Sequence, residues 1–407
     1  MMSAPMPAVH RPSFTIHRSL SIDLITMNQP IRVVVVDDSA LMRDVIAGLL
    51  QQDPAIQVVG VAGDGCEAIR LVQELRPDVV TMDVRMPVMD GLAATEHLMA
   101  YCPTPILVLT SLGRSELDIT FRMLGAGALE VMEKPSAATM ERSAHHLIRR
   151  VKTLSRVRVV THLRGRRRAA PLPERRPARP AAHLADRGAR NGAGGVPHNA
   201  TPRRTATPAP SHDCPLIVIG ASTGGPRVVY RLLAGLPPDL PAAVLVVQHI
   251  AAGFAPGMAE WLAHACPLPV AVAAEGQALR PGEVLIAPDH RDTLITEDGR
   301  IHLSANPLLI QRPAIDVAMQ AAAYAFGPRA IGVLLTGMGR DGAYGMLRIR
   351  RAGGYTIAQD EASSTIFGMP RAAIELGAAT EVLAPAQIPA RLVELVMNAR
   401  APERGAP

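Results

Sequence analysis

Aromatic residues are scarce in this chain: five Phe, five Tyr and one Trp make up 3% of its 407 residues. Its cores must therefore be built from Val, Ile, Leu, Ala and Met, which the 48% apolar content supplies. Cysteine is equally thin. Cys66, Cys102, Cys214 and Cys266 are far apart and form no CxxC pair, which argues against a zinc site or a disulfide scaffold and suits a reducing cytosol. No run approaches the ~18 uncharged residues that would span a bilayer. Residues 1–30 carry Arg11, His17, Arg18 and Asp23 without a sustained apolar stretch, so no signal peptide is expected and the expected location is the cytoplasm. Acids are missing from one long segment. Between Arg156 and Arg204, thirteen Arg face only Glu174 and Asp186, a local balance of +11. The rest of the chain carries 29 basic and 34 acidic residues, a net −5. The overall charge of +6 thus belongs to one segment that lacks aromatic interleaving, helix-turn-helix pattern and zinc spacing. No nucleic-acid partner is expected; salt-sensitive binding of that segment to duplex DNA would revive one.

What is present is a repeated alternation of short apolar runs and amphipathic stretches. Runs at 31–36, 57–62, 78–82, 105–109 and 128–132 imply five strands separated by helices, a parallel sheet covered on both faces. Residues 155–213, rich in Pro, Arg, Ala and Gly, cannot bury enough apolar surface to offset their ordering entropy and are expected to be a disordered linker. The alternation resumes with strands at 216–219, 243–247, 270–273, 283–287, 330–335 and 355–358. The expected fold is α/β: two doubly wound parallel-sheet domains, at 31–154 and 214–400. The disordered parts would be the linker, the tail 401–407 and the extension 1–30, which precedes the true start if that is Met27.

In an open parallel sheet, ligands sit at the carboxyl ends of the strands. There the first domain places Asp37 and Asp38, Asp83, Thr110 with Ser111, and Lys134 before Pro135. Three converging carboxylates repel one another and favour a divalent cation with oxygen ligands, Mg²⁺ above all. A carboxylate beside Mg²⁺, with a hydroxyl and a lysine near it, can accept and hold a phosphoryl group. Any one of these acids could be a helix N-cap instead; a set of five residues at five matching positions is harder to explain that way. VVVVDDSALMR (33–43), MDVRMPVMDGL (82–92), LTS (109–111) and EKP (133–135) resemble the response-regulator receiver domain. The resemblance implies Asp83 as phosphoacceptor, Asp37, Asp38, Asp83 and the Arg85 carbonyl around Mg²⁺, and Thr110 and Lys134 on the phosphoryl group. Val131 stands where many receivers carry an aromatic residue that rotates inward on activation.

In the second domain a strand runs into Gly220-Ala221-Ser222-Thr223-Gly224-Gly225-Pro226. Ser222 occupies the place of the second glycine of a dinucleotide fingerprint, and the Lys-Ser/Thr ending of a Walker loop is missing. Gly-x-Ser-x-Gly fits a nucleophile elbow, although a glycine-rich turn would read the same. A nucleophilic serine needs a base and a group that orients the base. His249 ends the next strand and Asp341 lies in the glycine-rich loop after strand 330–335, all on one sheet edge. His290, beside Asp289, is the rival base, and its charged neighbours suggest a solvated turn. His264 and His302 read as surface residues.

IGASTGGP (219–226), VVQHI (246–250), RPAID (312–316), LLTGMGRDGAYGM (334–346), QDEASS (359–364) and FGMPRAAI (367–374) resemble the catalytic domain of CheB-type chemotaxis protein-glutamate methylesterases. A receiver ahead of this domain is that family's own arrangement. The resemblance implies Ser222 as nucleophile, His249 as general base, Asp341 as its orienter, the Met338 N–H in the oxyanion hole and Thr223 lining the cleft. It implies a substrate, methylated glutamate on transmembrane chemoreceptors, with a glutamine deamidation side activity. The implied phosphodonor is a chemosensory histidine kinase; no cofactor is expected for the esterase, and the chain is expected to be a monomer. Segments 251–254 and 287–292 depart from the family pattern. A catalytically dead scaffold that only docks receptors is the rival reading, and it predicts no methanol release.

Overall fold

The computed structural model of the protein describes residues 29–159 and 214–400, apart from 112, 138–139, 158 and 306–311. The disorder expected of 1–30, 155–213 and 401–407 falls almost wholly outside the described residues.

Continuous apolar runs make the strands of the first sheet: β1 Ile31–Val36, β2 Ile56–Ala62, β3 Val79–Asp83, β4 Ile106–Thr110 and β5 Glu130–Glu133. All neighbouring pairs are parallel, in the order β2-β1-β3-β4-β5. Helices α1 Ala40–Leu50, α2 Gly65–Leu75, α3 Gly91–Tyr101, α4 Arg114–Ala126 and α5 Met140–Leu154 connect and cover them. Sequence fixes where the first three helices begin: the side chains of Ser39, Asp64 and Asp90 accept from the N–H groups of Met42, Glu67 and Ala93, satisfying donors the helix cannot use internally. The N-caps are therefore these residues, and Asp37, Asp38 and Asp83 are left for other work.

The second domain is built on β6 Leu216–Ala221, β7 Ala243–Gln248, β8 Val270–Val272, β9 Val284–Ile286, β12 Ala330–Leu334, β13 Tyr355–Gln359 and β14 Glu381–Leu383. These seven form a parallel sheet in the order β14-β13-β12-β6-β7-β9-β8. A separate antiparallel hairpin joins β10 Asp292–Ile295 to β11 Ile301–Ser304. The helices are α6 Gly225–Ala234, α7 Ala255–Ala263, α8 Ile315–Phe326, α9 Ala343–Arg351, α10 Met369–Glu375 and α11 Ile388–Arg400. The expected class, two doubly wound parallel sheets, is the observed one. β14, the three-residue segment EVL at a sheet edge, escapes the apolar-run criterion because Glu381 leaves only two apolar residues in it. α8 escapes it because Ala-rich IDVAMQAAAYAF is apolar on nearly every side and most of it is buried.

The scarce aromatics are not spread through the two cores. Four of them meet where the domains touch. Phe121 of α4 stacks on Trp261 of α7 with ring centroids 5.7 Å apart and meets Phe254 edge-on at 6.5 Å, while Tyr230 of α6 stacks on Trp261 at 4.5 Å. Gly257 lets α4 approach: a Cβ there would lie 3.0 Å from the Phe121 ring and 3.1 Å from Leu117. Beside this apolar contact, the Gly224 N–H donates to the Leu129 carbonyl at 3.3 Å. The Thr223 hydroxyl donates to Glu130 of β5. Arg150 of α5 holds the same Glu130 carboxylate at 2.8 Å.

Two candidate sites at the switch points of two sheets

In both sheets the strand order reverses beside the first strand of the domain, at β1/β3 and at β6/β12. Loops leaving two such strands diverge and open a crevice at their carboxyl ends. The candidate residues gather at these two places.

At the first crevice, Asp37 and Asp38 follow β1 and Asp83 ends β3, and their ligand oxygens lie within 4.8 Å of one another. Lys134, just past β5, reaches across with Nζ 2.8 Å from Asp37 and 2.8 Å from Asp83. Burial disfavours its ammonium, but the two carboxylates more than offset that and raise its pKa. Three carboxylates against one ammonium leave an excess of negative charge on an all-oxygen donor set, which fits a small hard cation. Burial above all pushes the Asp83 carboxyl up to about 6; Lys134 opposes this and Asp37 adds to it. Thr110 ends β4, but its hydroxyl is turned to Glu116 in the first turn of α4 at 2.8 Å. The same Glu116 oxygen also accepts from the N–H and hydroxyl of Ser111, at 3.1 and 2.8 Å. Burial works against this carboxylate, yet those donors and Arg85 bring its pKa below the usual value. Val131 is half-buried in β5. No sequence signal singled out Glu116, because its partner is chosen by the turn between β4 and α4.

At the second crevice, β6 extends to Ala221 and Ser222 follows it on the turn into α6. Gly224 sits at φ +75°, the left-handed geometry that a tight strand-to-helix turn demands and that side chains resist. The Ser222 N–H donates to the Thr336 carbonyl at 3.0 Å, tying the turn to the loop after β12. At Gly337 that loop passes so close that a Cβ would lie 2.7 Å from the Ser222 Cβ. Gln248 at the end of β7 donates to the carbonyls of Ser222 and His249, both at 2.9 Å, and fixes the two strand ends together.

His249 Nε2 lies 2.8 Å from Asp341 Oδ2, which leaves Nδ1 as the ring nitrogen not engaged by Asp341. Among the described residues no hydrogen bond joins Ser222 Oγ to the ring; in unliganded sites such contacts often tighten only with substrate. Asp341 also accepts from the N–H groups of Ile315 and Asp316 at 2.9 Å each and from that of Gly342 at 3.0 Å. The first two are free amides at the N-terminus of α8, where the helix dipole favours negative charge. Burial opposes the Asp341 carboxylate, but the His249 contact and those amides together hold its pKa below the usual range. Segment 312–316 drew attention by resemblance, but its part as the amide cradle of Asp341 could not be read from sequence. The Gly337 N–H is taken by the Ile366 carbonyl, whereas no described group accepts from the Met338 N–H or from that of Thr223 on the serine turn itself.

The remaining histidines stand apart. His290 pairs with Asp289 at 3.2 Å and is 62% exposed, the solvated turn expected of it. His302 sits in the hairpin against Glu275, and His264 caps α7.

Comparison with known proteins follows the same division. Residues 33–144 match the response regulator receiver domain family and residues 217–392 the CheB methylesterase family. Protein-glutamate methylesterase/protein-glutamine glutaminase 2 of Anaeromyxobacter dehalogenans is 46% identical over 370 residues, covering 90% of this chain and 98% of that protein. Protein-glutamate methylesterase/protein-glutamine glutaminase 4 of Geobacter metallireducens is 41% identical over 374 residues, covering 90% and 99%. Among solved structures, the Thermotoga maritima CheB methylesterase catalytic domain is 37% identical, with a TM-score of 0.44, over 45% of this chain and 99% of that one.

Proposed function

The chain belongs to the CheB methylesterase family with its amino-terminal receiver, and from that membership and the site geometry we propose a Ser222-His249-Asp341 mechanism under receiver control. The enzyme hydrolyses glutamyl methyl esters, and deamidates glutamine, in chemosensory adaptation. The observation that carries the reading is the His249–Asp341 pair at 2.8 Å on the edge where Ser222 is held on a glycine turn. In this reading His249 Nδ1 takes the Ser222 proton as Oγ attacks the ester carbonyl. Asp341 keeps the ring oriented and stabilises the imidazolium as it forms. The Met338 N–H meets the developing oxyanion. Methanol leaves with the proton returned by His249, and water repeats the sequence to release the carboxylate.

Asp83 is the proposed phosphoacceptor, with a histidine kinase as donor. Asp37, Asp38, Asp83 and the Arg85 carbonyl would hold Mg²⁺, which when bound supplies positive charge for the phosphoryl oxygens. Thr110 and Lys134 then face the phosphoryl group. For Thr110 this means leaving Glu116, which frees the first turn of α4, the helix whose Phe121 and Leu117 pack on the catalytic domain. That route needs no aromatic at position 131. In the docked arrangement Glu130 and Leu129 engage Thr223 and Gly224, the two residues after the nucleophile, and α5 reaches Met338 through Thr153. The unphosphorylated receiver therefore covers the serine turn, and phosphorylation uncovers it. No described helix is long and apolar enough to cross a membrane, and the reading is of a monomeric cytoplasmic enzyme acting on receptors.

The test is methanol release from methylated chemoreceptors by the full chain, with and without a small-molecule phosphodonor. Stimulation by the donor, and loss of turnover in Ser222→Ala, are expected. Equal rates with and without donor would sink the covering model, and an active Ser222→Ala would remove Ser222 from the chemistry.

A further inference from the structure

A cleft of 1460 Å³ opens beside the covered serine turn, where α5 of the receiver faces α6 and α10 of the catalytic domain. Gly224 and Met338 are part of its lining, so it runs up to the turn that carries Ser222. Its lining is strongly cationic. The receiver wall contributes Arg149, Arg156 and Lys152, the last of them paired with Asp53, and the catalytic wall Arg227, Arg231 and Arg371. Among the described lining residues the single acid is Glu361, which is engaged by Arg371 at 3.0 Å.

This charge is not what holds the domains together. Like charges on facing walls repel, while the aromatic cluster and the Glu130 contacts supply adhesion elsewhere. Burial first, and the neighbouring Arg231 second, push Arg227 down to about 10. The +11 segment of the chain begins at Arg156, inside the cleft lining, and has the same sign as the cleft.

We propose that the catalytic wall of this cleft, once the receiver no longer covers the serine turn, is a subsite for an acidic stretch of the protein substrate, carboxylates that flank the glutamyl ester while the ester itself reaches Ser222. Arg227, Arg231 and Arg371 are the determinants that stay with Ser222 whatever the receiver does, and the receiver wall adds to them only when docked. The assignment rests on the ester-hydrolysis reading, since it takes the occupant to be substrate.

The test presents the full chain, with phosphodonor, with two peptides carrying the same glutamyl methyl ester, one flanked by Glu and the other by Gln. The acidic peptide should be preferred about tenfold in kcat/KM at low ionic strength, through KM, with the preference shrinking as salt screens it. An Arg231→Gln/Arg371→Gln double variant, altered at two exposed positions, should lose that preference and keep its kcat on the neutral peptide. Equal kcat/KM on both peptides in the wild type, or an equal loss on both in the variant, overturns the proposal. A fluorescent oligo-glutamate peptide without an ester separates binding from chemistry. Binding that weakens about tenfold in the double variant supports the subsite even if no ester turns over, in which case the failure belongs to the esterase reading. No binding overturns the subsite, as does tighter binding of duplex DNA or anionic vesicles than of the peptide.

Discussion

Asp83, buried, and Asp341, half-buried, are both carboxylates at the carboxyl edge of a parallel sheet, yet their environments push them in opposite directions. Asp83 shares its crevice with two other carboxylates and one lysine, and its carboxyl is raised to about 6. Asp341 receives three backbone N–H groups and a histidine, and its carboxyl is held below the usual range. Burial penalises the charge in both, so the difference lies in the donors supplied. One site is left short of positive charge and ready to take up a cation and a phosphoryl group. The other is complete in itself and ready to orient an imidazole. The same architecture provides a reversible store of charge in one domain and a fixed electrostatic frame in the other.

The contrast can be broken by mutation, beginning with the largest effect. Ser222→Ala should lower methylester turnover by about five orders of magnitude, since a triad acts as a unit, while phosphorylation of Asp83, followed with radiolabelled phosphodonor, stays intact. Asp341→Asn should cost about four orders of magnitude through the wrong imidazole tautomer. It should also destabilise the catalytic domain at neutral pH. Because the folded pKa of Asp341 is depressed, that stabilisation is present above the ordinary value of 3.8 and is lost as pH falls through the folded one. Denaturant midpoints of wild type and variant should therefore converge in acid.

Asp83→Asn should abolish all stimulation by phosphodonor and leave the basal esterase rate unchanged. Its effect on stability has the opposite sign. With the folded pKa raised from 3.8 to about 6, stability falls as pH rises through that window. In chelator-containing buffer at pH 7 the Asn variant should melt higher than wild type, with the gain gone below pH 4. A lower melting temperature at pH 7 would show that Lys134 outweighs burial there. Glu130→Gln removes the charge from the contact with Thr223 and should raise the unphosphorylated rate by at most about tenfold. Glu116→Gln, one step further upstream, should raise it less; a fall in either rate would reverse the proposed direction of control. Smallest of all, Asp64→Ala removes the N-cap of α2 and should cost about 1 kcal/mol of receiver stability, read by urea unfolding, with no change in basal ester turnover.

The apolar runs and the residues at their ends made both sheets and most of both candidate sites legible. Asp37, Asp38, Asp83 and Lys134 converge because each ends a strand, and strand ends can be read from patterning. Ser222 was legible from its Gly-x-Ser-x-Gly turn, His249 from a strand end and Asp341 from the glycine-rich loop that follows strand 330–335. What patterning missed is held by contacts remote in sequence. Glu116 engages Thr110 only because of how the chain turns into α4. The amides of Ile315 and Asp316 reach Asp341 only because α8 docks end-on behind the β12 loop. Glu130 reads as an unremarkable strand residue until the second domain is set against it.

By itself the sequence determined the two parallel sheets, the edge on which each site lies and the chemical kind of each site, because strand length, burial and strand-end chemistry are local properties. Only the tertiary structure decided that four of the few aromatics join the two domains, that the receiver sheet meets the residues beside Ser222, and that arginines from both domains face one cleft. Those features depend on distances between segments remote in sequence, and no local pattern encodes them.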